Sequence, residues 1–250
     1  MHLTEEAIVC AVLPHGEHGA VVRLLTRSAG LAAGYVRGGR SRKMRPVLQP
    51  GNLVQADLRA RVEEQLAGAT IELLHSRAGL AIDRLTAPAV EWLCGLTATT
   101  LSEGSAYPQL YPALGGLLDV MEHSDDPRQW VAGLVRYELL LLSQLGFGLD
   151  LSECAATGST EDLVFVSPKS SKAVSRAAGE PYASRLLPLP AFLRGEPGIA
   201  SWAEIAAGLR TTGYFLERDV LNGGKRADLL AGRERLVSRI GHKVDGVTAP

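Results

Sequence analysis

Cysteine is scarce and scattered: Cys10, Cys94 and Cys154 are the full complement, and no two of them form a CxxC pair. That spacing excludes a disulfide framework and fits a reducing compartment. Aromatic residues make up only 5% of the chain, and Tyr35 is the single one before Trp92. No apolar run approaches the roughly 18 residues of a membrane-spanning helix. The start, Met1-His2-Leu3-Thr4-Glu5-Glu6, has no basic segment leading into an apolar one, so the expectation is a soluble, cytoplasmic protein with no membrane partner. Also missing are the GxxxxGK[ST] phosphate loop and the GxSxG and SxxK contexts of activated serines. Nucleotide hydrolysis and nucleophilic catalysis therefore find no support, and the expectation is a protein without enzymatic activity and without a cofactor.

What is present describes a globular chain of 250 residues, 46% hydrophobic and 21% charged, long enough for one large domain or two smaller ones. The net charge of −1 hides a strong division along the sequence. Residues 20–62 hold nine Lys/Arg against the single acid Asp57, a net of +8. Residues 84–165 hold Arg84, Arg128 and Arg136 against eleven acids, a net of −8, and residues 166–250 return to +5. A basic segment concentrates polyanions near it and an acidic one repels them. The competing reading is a pair of solvated faces.

Short apolar runs separated by turn residues fill the first 75 positions. Ala7–Leu13, Ala20–Thr26, Gly30–Val36, Leu53–Val62 and Ala69–His75 predict five strands, with Pro14-His15-Gly16-Glu17-His18-Gly19 and Leu48-Gln49-Pro50-Gly51 between them. Five strands in so short a stretch suit a small closed barrel, which leaves no exposed edges. The third strand runs into Arg37-Gly38-Gly39-Arg40-Ser41-Arg42-Lys43, four cations in seven residues around two glycines. Phosphate contact is the functional reading of such a turn, because each neutralised phosphate releases counterions and gives salt-sensitive, sequence-independent binding. A solvated hairpin tip is the alternative. Candidate nucleic-acid-binding residues are Arg37, Arg40, Arg42 and Lys43, with Arg23, Arg59 and Arg61 in addition. With few rings nearby, the grip is expected to be more electrostatic than stacking-driven.

From Thr86 the apolar period becomes helical, over Ala89–Leu101, Tyr111–Met121 and Arg128–Gly146, then again over Ser201–Leu209, Thr211–Leu221 and Arg226–Ile240. Ser124-Asp125-Asp126-Pro127 is a helix start and Gly146 a stop. Residues 150–185 break the pattern and predict a small loop-rich excursion with one short strand at Asp162–Val166. The tail 241–250 is expected to be disordered.

Other chemistry-bearing residues have plain explanations. His15 and His18 share a turn with no further Cys or His, so they read as exposed histidines rather than metal ligands. Asp125/Asp126 and Glu161/Asp162 sit at turns, where capping and solvation account for them. Gly223-Gly224-Lys225-Arg226 reads as a turn between helices, with a basic surface contribution as the second reading. Arg136, a rare cation in the acidic helical segment, is either a structural ion-pair partner or an anchor for a carboxylate-bearing partner.

Taken together, several stretches resemble the bacterial DNA repair protein RecO family, over nearly the whole chain to about residue 240. Gly38-Gly39-Arg40-Ser41-Arg42-Lys43 followed by Leu48-Gln49-Pro50 is similar to that family's barrel signature. Arg136-Tyr137-Glu138-Leu139, Leu145-Gly146-Phe147-Gly148-Leu149-Asp150 and Cys154-Ala155-Ala156-Thr157-Gly158 resemble its central block. The resemblance implies an α+β chain: an OB-fold nucleic-acid-binding barrel over residues 1–80, then a helical domain over 81–240 that contains a zinc-finger-like insertion at 150–185. It implies a nucleoid-associated recombination mediator that binds single-stranded and double-stranded DNA, anneals complementary strands, and acts with RecR and the single-stranded-DNA-binding protein SSB to help load RecA. The family's zinc-ligand positions correspond here to Cys154, Thr157, Ser175 and Ala178, so no structural zinc is expected. Its docking of the acidic SSB tail on the helical domain makes Arg136 a candidate carboxylate clamp. An RNA-binding or translation-associated barrel protein is the alternative function.

Overall fold

The structure is a computed structural model that describes residues 2–62, 65–223 and 226–248, with 243–248 described by backbone alone. The first compact unit covers Met1–His123 and the second Ser124–Pro250.

The first unit is built on a closed five-stranded barrel of β1 (His2–His15), β2 (Gly19–Thr26), β3 (Leu31–Val36), β4 (Leu53–Arg59) and β5 (Ala67–His75), ordered β1-β2-β3-β5-β4. This is an OB-like arrangement in which the β3–β5 pair is parallel and the other neighbours are antiparallel. β1 is longer than its apolar run suggests. Its C-terminal part pairs with β2 and its polar start, from His2 to Glu6, pairs with β4, which closes the barrel. Alternation sends Val22, Leu24, Val36, Val54, Ala56 and Leu58 inward, where they meet Ala7, Val9 and Ile71 in one core.

Two helices pack with this barrel, α1 (Thr86–Thr100) and α2 (Leu110–His123). The sequence reading places them in a helical domain beginning at 81, whereas packing places them with the strands. The cause lies in a knot around the β4 entry. Buried Asn52 donates to the carbonyls of Pro46 and Val47 and accepts from the Arg77 amide, while the Arg77 guanidinium reaches Gly51 O at 2.8 Å and Asp119 on α2 at 2.5 Å.

The second unit opens with α3 (Pro127–Gln144), capped by Asp126, which accepts from the Arg128 amide. The expected excursion contains a three-stranded sheet of β6 (Leu163–Val166), β7 (Ala173–Ser175) and β8 (Leu187–Pro188), ordered β7-β6-β8, with the short helix α4 (Arg176–Gly179) after β7. α5 (Trp202–Phe215) begins in a capping box of Ser201 and Glu204 and continues into a π-helical turn over Leu216–Val220, so the two helices expected there are one continuous element. α6 (Ala227–Thr248) runs through most of the tail expected to be disordered. Leu236, Ile240, Val244 and Val247 keep helical spacing past Gly241, and the last two residues lie outside those described. Among the described residues, no helix is long and apolar enough to cross a membrane.

Candidate nucleic-acid interface

The basic turn leaves β3 through two glycines with different tasks. Gly38 has φ +69°, a left-handed conformation that side chains disfavour. Gly39 lies flat against β2, where a Cβ would sit 2.8 Å from the Ala20 methyl. Beyond them the chain winds helically, with the Arg45 amide donating to Ser41 O at 3.0 Å and that of Leu48 to Met44 O at 2.9 Å. Leu48 is buried in the barrel core and anchors the segment. With Gly39 and Leu48 held inward, Arg37, Arg40, Arg42, Lys43 and Arg45 are all exposed. Among the described residues, none of these five has a carboxylate within ion-pair distance.

Arg40 is more constrained than the others. Its guanidinium donates to Glu17 O at 3.1 Å and its amide to His18 O at 3.1 Å, which ties the basic turn to the β1–β2 turn. Arg45, absent from the sequence-based candidates, donates from Nε to Arg40 O at 3.2 Å. Between the two turns is a cleft of about 290 Å³ lined by Glu17, His18, Gly38, Arg40, Ser41 and Arg45. Two guanidiniums on one concave surface suit a phosphate. Arg45 was legible as part of the same charge run, but its orientation depends on the helical winding after Ser41.

The remaining candidates separate from this cluster. Arg23 donates to Ala98 O at 2.5 Å and to Glu103 at 3.0 Å, so it fastens β2 to the end of α1 and is not part of the exposed group. Arg59 on β4 forms a two-point pair with Asp57 at 3.0 and 2.7 Å, which offsets its charge. The same hydrogen bonds from Arg59 hold the Asp57 carboxyl below its usual range. Arg61 is exposed in the β4–β5 connection. In the second unit Arg136 is exposed on α3, with Nε donating to Phe192 O at 3.3 Å and its guanidinium 5.3 Å from the Phe192 ring centre. It lies over an aromatic ring, and among the described residues it makes no ion pair with a carboxylate.

Cys154 sits at the start of the excursion and is buried. Its Sγ accepts from the Ser175 amide at 3.3 Å and the Ser175 hydroxyl at 3.4 Å. Burial pushes the thiol up, but the Ser175 donors, the Thr157 hydroxyl and the Ala156 amide outweigh it and bring the pKa to about 6. One thiol, two hydroxyls and the methyl of Ala178 do not make a closed tetrahedral thiolate site, so the donor set does not fit zinc.

The model for the recombination protein O N terminal matches residues 1–77, and that for the recombination protein O C terminal matches residues 82–227. The chain belongs to the RecO family. Relatives described as DNA repair protein RecO include one from Caulobacter vibrioides, 46% identical over 88% of this chain and 90% of the relative. Those from Ruegeria sp. and Rhodospirillum rubrum are 43% and 44% identical, over 98% and 95% of this chain and 100% and 95% of theirs. The seven barrel candidates lie within the RecO N-terminal match, and Arg136 and Cys154 within the C-terminal one. The two RecO models meet between residues 77 and 82, whereas packing divides the chain between His123 and Ser124.

Proposed function

We infer that the chain is a DNA repair mediator without catalytic activity, which holds DNA on the basic turn of its barrel. The observation that carries this is the exposed group of Arg37, Arg42, Lys43 and Arg45, built onto a buried scaffold. Charge of this density costs stability through self-repulsion and is explained by an anionic partner. Family membership supplies the context of DNA repair. In that context the chain binds single-stranded and double-stranded DNA, anneals complementary strands, and works with RecR and SSB to help load RecA. Annealing needs no bond-making chemistry: neutralising two phosphate backbones lowers their repulsion and raises local strand concentration. The excursion is the degenerate counterpart of a zinc-finger-like insertion, held by the hydrogen bonds around Cys154 in place of metal. Arg136, stacked on Phe192, is the candidate clamp for the carboxylates of the SSB tail.

The test is salt-titrated binding of a labelled single strand to the unaltered protein and to the Arg42→Glu/Lys43→Glu variant. These two positions are preferable to Arg40, whose loss also releases the β1–β2 turn. Weaker binding with a shallower salt slope is expected; unchanged affinity removes the turn from the interface. Equal affinity for RNA of the same length redirects the reading to RNA.

A further inference from the structure

Strand register lines up one row of residues across the barrel. Leu13 of β1 stands opposite Val21 of β2, Val21 opposite Tyr35 of β3, Tyr35 opposite Gly68 of β5, and Gly68 opposite Arg59 of β4. Directly opposed residues share a face. Their sequence neighbours Val22, Val36, Ala67 and Leu58 are in the core, so this row faces outward.

Two glycines shape the surface around Tyr35. A methyl on Gly19 would run into the Tyr35 ring, so the ring lies across that position instead of standing clear of the sheet. On the other side, a methyl on Gly68 would meet nothing closer than Arg59 O at 3.8 Å, which leaves a gap beside the ring. His15 meets the Tyr35 ring edge to face, with centroids 5.6 Å apart and planes at 74°. Leu13, two strands away in the same row, is 53% exposed. A free cation borders the strip, since Arg37 lies two residues beyond Tyr35, while Arg59, paired with Asp57, closes the far end of the row.

A partly exposed ring, braced by a second ring and flanked by an open gap and by Arg37, has the chemistry to receive a planar π-system that carries an anionic backbone. An unpaired nucleobase meets that description, whereas a base inside a duplex has both faces covered by its neighbours. We propose that Tyr35, braced by His15, is a stacking seat for one unpaired nucleobase of a strand whose phosphates lie on the basic turn. The proposal rests on the DNA-binding reading above and adds to it a preference for single strands. It also adds a stacking contribution to a grip expected to be more electrostatic than stacking-driven, because a histidine provides the second ring that an aromatic count omits.

The experiment compares the full-length protein with Tyr35→Leu, Tyr35→Phe and Arg42→Glu/Lys43→Glu, by anisotropy on a single strand and a duplex of equal length over a salt series. Tyr35→Leu is expected to weaken single-strand binding about tenfold with duplex affinity and salt slope unchanged, and Tyr35→Phe to bind like the unaltered protein. Photo-crosslinking of a bromouracil-substituted strand to the unaltered protein is expected to place an adduct on Tyr35 or His15. Single-strand affinity unchanged in Tyr35→Leu overturns the stacking seat, as does an equal loss on both forms of DNA or crosslinks confined to other residues. The charge-reversal variant separates the two readings: if it binds normally, the phosphate reading fails, whatever Tyr35→Leu does.

Discussion

Arg233 on α6 and Glu138 on α3 form a buried two-point ion pair, with Nε to Oε1 and Nη2 to Oε2 both at 2.8 Å. Arg233 also reaches Leu209 O at 2.9 Å, and the Thr212 hydroxyl on α5 donates to Glu138, so one charge pair joins three helices. Gly213 makes room for it, since a Cβ there would collide with the guanidinium. Removing one partner of a buried pair leaves an uncompensated charge and costs about 3–5 kcal/mol, whereas replacing both with apolar groups is often neutral. Arg233→Met is therefore expected to lower stability by about that amount, and Glu138→Leu/Arg233→Met to recover most of it, as read by urea unfolding. A double variant no more stable than the single one would mean that the pair's other contacts, to Leu209 and Thr212, carry the stability.

Where local pattern decides structure, the sequence was readable. The barrel strands follow from alternation, and α1, α2 and α3 from apolar spacing, with Asp126 and Pro127 marking the start of α3. What stayed hidden depends on partners far along the chain. Glu138 and Arg233 are 95 residues apart, and Arg23 and Glu103 are 80 apart, so nothing local distinguishes Arg23 from the cations of the turn. The polar start of β1 lies outside the strand that alternation predicts, because its strand character comes from pairing with β4. The basic turn was legible as composition. Its buried anchors, Gly39 and Leu48, became visible only in the fold.

Those separations divide the cations into two experimental classes. Arg23→Ala removes hydrogen bonds to Ala98 O and Glu103 in a part-buried site, and a charged hydrogen bond contributes about 1.5–3 kcal/mol. Thermal unfolding is expected to shift down by an equivalent amount while single-strand affinity stays within twofold of the unaltered protein. Arg42→Ala should do the reverse, leaving unfolding unchanged and reducing the salt slope of single-strand binding by about 0.7. Equal effects of the two variants on affinity would return Arg23 to the interface.

Arg136 supports a separate prediction about partners. Its guanidinium lies over the Phe192 ring, 5.3 Å from the centre, and the side chain is exposed. Such a fork is suited to a carboxylate. Arg136→Ala is expected to weaken binding of a synthetic peptide with the acidic SSB tail sequence at least tenfold by calorimetry, with no change in DNA affinity. Phe192→Leu keeps the charge but loses the platform, so a smaller loss is expected there. Peptide binding that is indifferent to both changes would place the tail elsewhere.

Cys154 allows a pH test of the excursion. Its thiol has a pKa of about 6 in the fold against an ordinary value of 9.0, set by the Ser175 and Thr157 hydroxyls and the Ser175 and Ala156 amides against the opposing effect of burial. Cys10, by contrast, is held well above the ordinary thiol range, chiefly by its hydrogen bond with Cys94 and by burial. A folded-state pKa below the unfolded one stabilises the fold fully above the unfolded value, and the contribution is lost as pH falls toward the folded value. Stability is thus expected to rise with pH between about 6 and 9 more steeply in the unaltered protein than in Cys154→Ser. The ultraviolet absorbance of thiolate should show a step near pH 6 that Cys154→Ser abolishes and Cys10→Ser retains. Ser175→Ala removes the hydroxyl donor but keeps the amide, so it should move that step upward without eliminating it. A step that ignores Ser175→Ala would mean that the Ser175 hydroxyl does not help to set the charge of Cys154.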